Sequence, residues 1–387
     1  MKKTVAILLA LLCCFGALCA SAEGYRIGIV TESVEQSGDD RLGAEAFRTA
    51  YGEDRVTLAE LPQDFTDKRD EVISAITNLA DDPLIRAIVV NQAVPGTAEA
   101  FAQIHETRPE VLCLAGEPHE SLQVISDAAD LVCAADFVAR GYLMVRAAHE
   151  LGCDSFVHVS FPRHMQGGSA SRRAAIMQQA CLDFGMRFFY ETAPDPLEVG
   201  QEAAQAYIRS ETPEWIADYG VHTAFFCTND AHTEPLIEQL LTLGGYFIEA
   251  DLPSPLLGYP AALGLQLAPQ DDALATVEAA IVERGGAGRF GTWKYSYGAT
   301  LTAGLAQHAM NVIDGASKLD SVDDLAKALA TFSPDANWNG SVYTNAQTGE
   351  SLSNLMMVYQ DTYIMGDPGF FMRSTDVSVP PEYALED

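Results

Sequence analysis

The amino-acid sequence predicts an α/β protein of two lobes, each holding a mostly parallel sheet covered by helices. Three observations carry that prediction. Short apolar, β-branched runs alternate with helix-patterned segments from Tyr25 to Gly315, the rhythm of parallel sheets. This rhythm closes and restarts around Leu131–Gly152, LVCAADFVARGYLMVRAAHELG. The chain has 387 residues, too many for one compact core and enough for two.

In the first half, Arg26–Val30 reads as a strand, Asp40–Tyr51 as a helix and Val56–Leu61 as a strand. Thr66–Asp81 reads as a helix stopped by Asp82-Pro83. Ala87–Val90 is a fully apolar strand, Thr97–Thr107 a helix and Val111–Ala115 a strand. At Leu131 another apolar run ends on Asp136 and Phe137, and a long helix-patterned segment then runs to Gly152. Two readings of Asp136 stand together: a cap of that helix, or a polar group facing a gap between lobes.

The second half repeats the pattern. Phe156–Ser160, Arg187–Thr192 and Thr223–Thr228 read as strands, with weaker ones at Tyr246–Ile248 and Pro255–Tyr259. Ser169–Gly185, Gln201–Tyr219, Glu234–Gly245, Ala273–Arg284 and Thr300–Gly315 read as helices. Ser321–Thr331 is a further helix with an acidic start, and residues 333–387 show no single period and read as a wrapping tail.

The N-terminus, MKKTVAILLALLCCFGALCASAEG, sets two lysines before an apolar run and closes with Ala20-Ser21-Ala22. That is the pattern of a secretory signal, residues 1–22, cleaved near Ala22. No small residue directly precedes Cys13, Cys14 or Cys19, which disfavours a lipid anchor. The expected location is extracytoplasmic: secreted, periplasmic or cell-surface. Asp and Glu number 54 against 23 Lys and Arg, for a net charge of −31. Such a chain repels phosphate backbones and anionic membranes, so no nucleic-acid partner is expected. Beyond the leader, Cys113, Cys133, Cys153, Cys181 and Cys227 are widely spaced, with no Cys-x-x-Cys pair. They read as buried free thiols, with one bridge left open.

Ligands of open parallel sheets sit beyond the carboxyl ends of the strands. Here those ends are polar: Glu32, Asn91 and Glu117 in the first half, and Phe161 to Arg163, Asn229 and Asp230 in the second. The ordering resembles the type I periplasmic solute-binding proteins, the sugar-binding group that shares its fold with LacI-type repressors. Asp136, Gly141, Ala148 and Leu151 stand in that family's order along the crossing helix. Arg173, with Arg172 beside it, matches its helix arginine; Phe225 to Asp230 match its strand ending in Asn-Asp, and Thr300–Gly315 its last helix. Gly258-Tyr259-Pro260 lacks the family's sugar-binding acid, Tyr295-Ser296-Tyr297 replaces a Gln and Pro, and Ile176 replaces a glycine. This is the pattern of a divergent branch, so a hexose or ribose is not carried over.

The resemblance implies two Rossmann-like lobes joined by three crossovers, near Ala134–Asp136, Lys294–Gly298 and Ser317–Leu319. Lobe one would hold residues 24–134 and 297–318, and lobe two residues 135–296 and 319–387. Closure about the hinges would bury a small polar ligand, sugar-like or nucleoside-like. The expected contacts are Glu32, Asn91, Glu117, Asp136, Phe137, Phe161, Arg173, Asn229, Asp230, Tyr259, Trp293 and Tyr297. Carboxylates and amides would take hydroxyl groups, Arg173 a planar acceptor, and the aromatics would form walls. Replacing Asp136 or Arg173 by Ala is expected to remove binding with little change in apo stability.

Enzyme signatures fail in context. Gly286-x-Gly288-x-x-Gly291 follows a helix rather than a strand. Gly167-Gly168-Ser169-Ala170-Ser171 lacks the second glycine of a nucleophile elbow. Asp230, His232 and Glu234 read as a capped helix start rather than a metal set. No catalysis, cofactor or metal is expected. The partners implied are a small-molecule ligand and an ABC permease or a membrane receptor, with the protein a monomer. Transport and sensing are both left open, and a LacI-like regulator is disfavoured by the leader.

Overall fold

The computed structural model describes residues 24–32, 38–63, 65–166, 168–267, 272–345, 347–367, 379–380 and 383. The expected signal, residues 1–22, lies outside the described residues, as does Gly167.

Lobe one is built on β1 (Arg26–Thr31), β2 (Val56–Glu60), β3 (Ile85–Asn91), β4 (Leu112–Gly116) and β5 (Leu131–Ala135). These pair in parallel in the order β2-β1-β3-β4-β5. Being covered on both faces, β3 is apolar nearly throughout, and only Arg86 is exposed. Alternate side chains feed two cores. Val30, Ile88 and Val90 pack against α2 (Arg69–Thr77), α3 (Thr97–Thr107) and α4 (Leu122–Ala128) through Val72, Ile76, Phe101 and Ile125. Ile29, Ala87 and Val89 pack against α1 (Gly38–Tyr51), α12 (Tyr297–Ile313) and α13 (Val322–Thr331) through Phe47, Leu301, Leu305 and Leu329. The expected helix Thr66–Asp81 is broken into a 3₁₀ turn at Phe65–Asp67, α2, and a second at Asn78–Asp81.

Lobe two holds β6 (Ser155–Ser160), β7 (Arg187–Thr192), β8 (Thr223–Cys227) and β9 (Tyr246–Phe247), in the order β7-β6-β8-β9 and parallel throughout. On one face lie α5 (Phe137–Glu150) and α6 (Gly168–Asp183), packed through Val138, Met144, Ile176 and Met177. Gly141 makes that packing possible, since a Cβ there would meet Arg173 Cγ at 2.9 Å. On the other face, α8 (Gln201–Tyr219), α9 (Asp230–Leu243) and α11 (Ala273–Glu283) contribute Ile208, Leu236, Leu240 and Val277. The short α7 (Pro196–Val199) and α10 (Tyr259–Leu263) complete the lobe. Pro255–Tyr259 is therefore not a strand; it is a turn running into α10, opened by Pro260.

The tail departs from the expectation. Rather than joining lobe two, β11 (Trp338–Thr344) and β12 (Ser351–Gln360) extend the lobe-one sheet, with β12 parallel to β5 and β11 antiparallel to β12. Helix α13 also packs on α12, where Leu329 approaches Gly304. The reason is the edge of β5: its bare hydrogen-bonding groups need a partner, and β12 covers them. Residues 319–360 thus belong to lobe one, and the third crossing lies at Asp361-Thr362 rather than near Ser317–Leu319. Beyond it, β13 (Tyr363–Ile364) pairs antiparallel with β10 (Gly291–Thr292), so the second and third crossings run hydrogen-bonded side by side. Among the described residues all five cysteines are buried and free, and no helix is long and apolar enough to cross a membrane.

Candidate ligand site between the lobes

Both lobes turn the carboxyl ends of their strands toward the hinge. Lobe one is left at the ends of β5 and β12, and Asp136 N–H there donates to Val358 O at 2.9 Å. Lobe two presents Glu249 and Asp251 just past β9, and both are bound from the α5–α6 side of the hinge.

On the lobe-one wall, Glu32 follows β1, half-buried and without a hydrogen bond or ion pair among the described residues. Burial raises its pKa and the charge of His119 opposes that rise. Gln92 and Glu117, the residues after β3 and β4, both have positive φ, 58° and 41°. Such strain costs on the order of 1–3 kcal/mol per residue and gathers at functional sites. His119 donates from Nε2 to Gln92 Oε1 at 2.8 Å. Asn91, expected in the site, is instead a buried strut. Its Nδ2 donates to Thr302 Oγ1 at 2.7 Å and Asp40 Oδ1 at 3.0 Å, tying β3 to α12 and α1.

On the lobe-two wall, Phe161 is fully buried beneath His164, whose ring lies 4.1 Å away, and His232 meets it edge-on at 5.8 Å. His164 Nδ1 hydrogen-bonds with Thr228 Oγ1 at 3.1 Å, and Thr228 with Ser160 Oγ at 2.6 Å. Arg163 holds Asp195 through two nitrogens, at 2.6 and 2.9 Å. Asn229 caps α9, its Oδ1 accepting from Ala231 N–H at 3.0 Å. Asp230 is exposed at the start of α9 and makes no hydrogen bond or ion pair among the described residues. Desolvation by the surrounding protein, and then the negative Asp251, push its pKa up to about 6.

The hinge between the walls is charged and buried. Arg140, 1% exposed, donates from Nη2 and Nε to Glu249 Oε2 at 3.1 and 3.2 Å, from Nη2 also to Ala250 O and from Nη1 to Asp251 O, at 3.0 Å each. Thr362 Oγ1 donates to the other oxygen of Glu249. Arg173 pairs with Asp251 and lies 4.7 Å over the Phe226 ring. Glu117 Oε1 accepts from Ala135 N–H at 2.6 Å with the Tyr297 phenol beside it, and burial raises both of their pKa values.

The structure thus gathers Glu117, Phe137, Arg173 and Tyr297 around the hinge, Asn229 and Asp230 on one wall and Glu32 on the other. Tyr259 is elsewhere: it is fully buried in the lobe-two core with its hydroxyl donating to Gly291 O at 2.6 Å. Trp293 and Phe161 are also fully buried and offer no open wall. Past the weak strand Tyr246–Ile248 lie two acids, Glu249 and Asp251, which pair with Arg140 and Arg173. They were missed in the sequence, as were Arg140, Gln92, His119 and His164. Gln92 and His119 carried no signal beyond their place at strand ends.

Of the two readings of Asp136, the cap is realised. The side chain is fully buried and Oδ1 accepts from Ala139 N–H at 2.6 Å. Asp136→Ala is therefore expected to lower apo stability by about 1 kcal/mol, in place of the neutral effect the sequence suggested. Urea unfolding midpoints check this, and an unchanged midpoint would remove the cap from the account.

This two-lobe arrangement with three crossovers is the type I periplasmic-binding, LacI-like fold. A Clostridium difficile 630 protein described as a transcriptional regulator superposes with a TM-score of 0.81 at 20% identity, covering 88% of this chain and 99% of that one. A sugar ABC transporter protein from Actinomyces odontolyticus ATCC 17982 gives 0.55 at 12% identity, covering 89% and 96%. Within that fold the chain belongs to the family described as "Protein of unknown function (DUF3798)", matched over residues 25–291. A second family matches residues 302–385. Two uncharacterised Treponema pallidum (strain Nichols) proteins are 42% identical over 195 residues and 36% over 185, covering 50% and 46% of this chain and 88% and 84% of theirs.

Proposed function

We propose that this protein is an extracytoplasmic solute-binding protein that closes its lobes on a small polar ligand rich in hydrogen-bond donors, sugar-like or nucleoside-like. The observation that supports this most is an acceptor on each wall with no hydrogen bond among the described residues: Glu32 after β1 and Asp230 after β8, both at strand ends that face the hinge. A free carboxylate accepts from two hydroxyl or amino groups at once, and closure would strengthen those bonds by expelling water. Phe137, half-buried at the start of α5, gives an apolar face beside them. Glu117 and Asn229 add acceptors, while Arg173 serves chiefly to hold Asp251 in place. Delivery to an ABC importer is the proposed role. Signalling to a membrane receptor is the second reading, and adjacent permease and ATPase genes would separate the two.

A thermal-shift screen of the protein against sugars, nucleosides, amino acids and carboxylates tests the reading. A ligand at ~100 times its Kd adds about 2.7 kcal/mol. Asp230→Ala is expected to abolish that shift while leaving apo stability at pH 7 unchanged or somewhat higher, because the raised pKa means that the fold disfavours this carboxylate's charge. In the intact protein, affinity should rise with pH through about 6, where Asp230 ionises. A ligand bound equally well by Asp230→Ala would remove Asp230 from the site, and a screen answered only by carboxylates would overturn the donor-rich ligand class.

A further inference from the structure

We propose that His105, Cys113 and Asp130 form a binding site for a divalent transition metal of the zinc type at the outer end of lobe one. His105 lies in the last turn of α3, Cys113 near the start of β4, and Asp130 just before β5. These are the amino ends of the strands, so the site sits at the opposite end of the sheet from the cleft.

The geometry is partly assembled by backbone pairing. Asp130 N–H donates to Cys113 O at 2.9 Å and Cys113 N–H donates to Asp130 Oδ2 at 2.7 Å, which locks two of the residues together. His105 Nε2 is 3.1 Å from the same Oδ2. The imidazole nitrogen, thiol sulfur and carboxylate oxygen all lie within 4.8 Å of one another. Around tetrahedral zinc, bond lengths of roughly 2.0–2.3 Å place neighbouring ligand atoms about 3.3–3.6 Å apart. The widest pair therefore needs to close by at most about 1.2–1.5 Å, with water as the fourth ligand. One nitrogen, one sulfur and one oxygen suit zinc rather than calcium or magnesium, which take oxygen alone.

The competing account is a turn in which Asp130 anchors a strand end and His105 rests on it. That account explains the His105–Asp130 bond but gives the thiol no part beyond a long contact, Sγ donating to Val111 O at 3.9 Å. In the metal site Cys113 has one: it gives its proton to solvent and binds as thiolate, so one proton leaves per metal bound. Cys113 is fully buried, which shields the metal–sulfur bond. The side chains of His105 and Asp130 are 28% and 32% exposed, which leaves a route in and room for the water. The net charge of −31 raises the local concentration of cations.

The test is cobalt substitution in the full-length protein after chelator treatment, followed by zinc competition. One equivalent of cobalt is expected to give tetrahedral d–d bands and a thiolate-to-cobalt charge-transfer band, both erased by one equivalent of zinc. His105→Gln changes a part-exposed side chain, and Asp130→Asn keeps an acceptor for Cys113 N–H. Both should keep the metal-free melt, lose the thiolate band and bind zinc at least about tenfold more weakly. Cys113→Ser should lose the band as well. Cobalt spectra without a thiolate band in the wild type would overturn the proposal. So would zinc binding of unchanged affinity in His105→Gln and Asp130→Asn.

Discussion

Arg140→Met is expected to destabilise the protein by about 3–5 kcal/mol, the loss typical of removing one partner from a buried ion pair. Arg140 and Glu249 are 1% and 2% exposed and 3.1 Å apart. With the guanidinium gone, Glu249 keeps the Thr362 hydroxyl and the Trp293 indole beside it, but no positive partner among the described residues, and the carbonyls of Ala250 and Asp251 lose their donor. The arginine also lies 5.1 Å over Trp293 and 5.4 Å over Phe137, contacts that favour its charged form. Burial pushes Arg140 toward neutrality while the charges of Glu249 and Asp251 hold it ionised. An Arg140→Met, Glu249→Leu double variant should be more stable than Arg140→Met alone, because the stranded carboxylate has been removed. Denaturant unfolding of the three variants decides it. A loss below about 1 kcal/mol for Arg140→Met, or a double variant less stable than the single, would show that the pair does not hold the hinge.

That pair was not legible in the sequence, and the reason is instructive. Strands such as Ala87–Val90 and Thr223–Thr228 were legible because burial on both faces leaves continuous apolar runs, a signal that is local in sequence. Glu249 follows a strand of two residues, too short to give a period, and its partner is 109 residues away. The tail failed for a related reason. Only Leu355–Val358 of β12 reads as an apolar run, because the strand's first half is exposed or half-exposed at the sheet margin. What fixes β12 is the open edge of β5, a fact about another segment. Within the site, Asp136 was legible as a position and ambiguous in role, since an acid at a strand end before a helix satisfies both a cap and a cleft. The structure shows the cap. Asp230 sat in the same kind of sequence context, but Asn229 took the capping duty and left the next carboxylate free.

His158 should make the fold acid-sensitive over a range set by its own burial. It lies in the middle of β6, fully buried, stacked on Tyr190 at 5.4 Å and near Phe188 and Phe226. Among the described residues neither ring nitrogen has a hydrogen-bond partner in another residue. Burial, with the positive charge of Arg173 adding to it, lowers the imidazole pKa to about 3. The unfolded chain takes up this proton near pH 6.5, whereas the folded chain refuses it until about pH 3. Above pH 6.5 the residue is neutral in both states and its effect is constant. As pH falls below 6.5 the unfolded state binds the extra proton, so stability drops by about 1.4 kcal/mol per unit until pH 3 is approached. Asp230 and Asp361, raised to about 6 by burial, act in the opposite sense over part of that range, because the folded state holds their protons more tightly. The contribution of His158 is therefore read as a difference between variants. His158→Leu keeps a similar volume among the aromatic rings and has nothing to protonate. Its stability relative to wild type should be constant above pH 7 and improve by roughly 2.7 kcal/mol by pH 4.5, two units below the unfolded pKa. Parallel pH profiles for the two proteins would mean that the buried imidazole takes its proton inside the fold, and that the packing of β6 against α6 admits a charge.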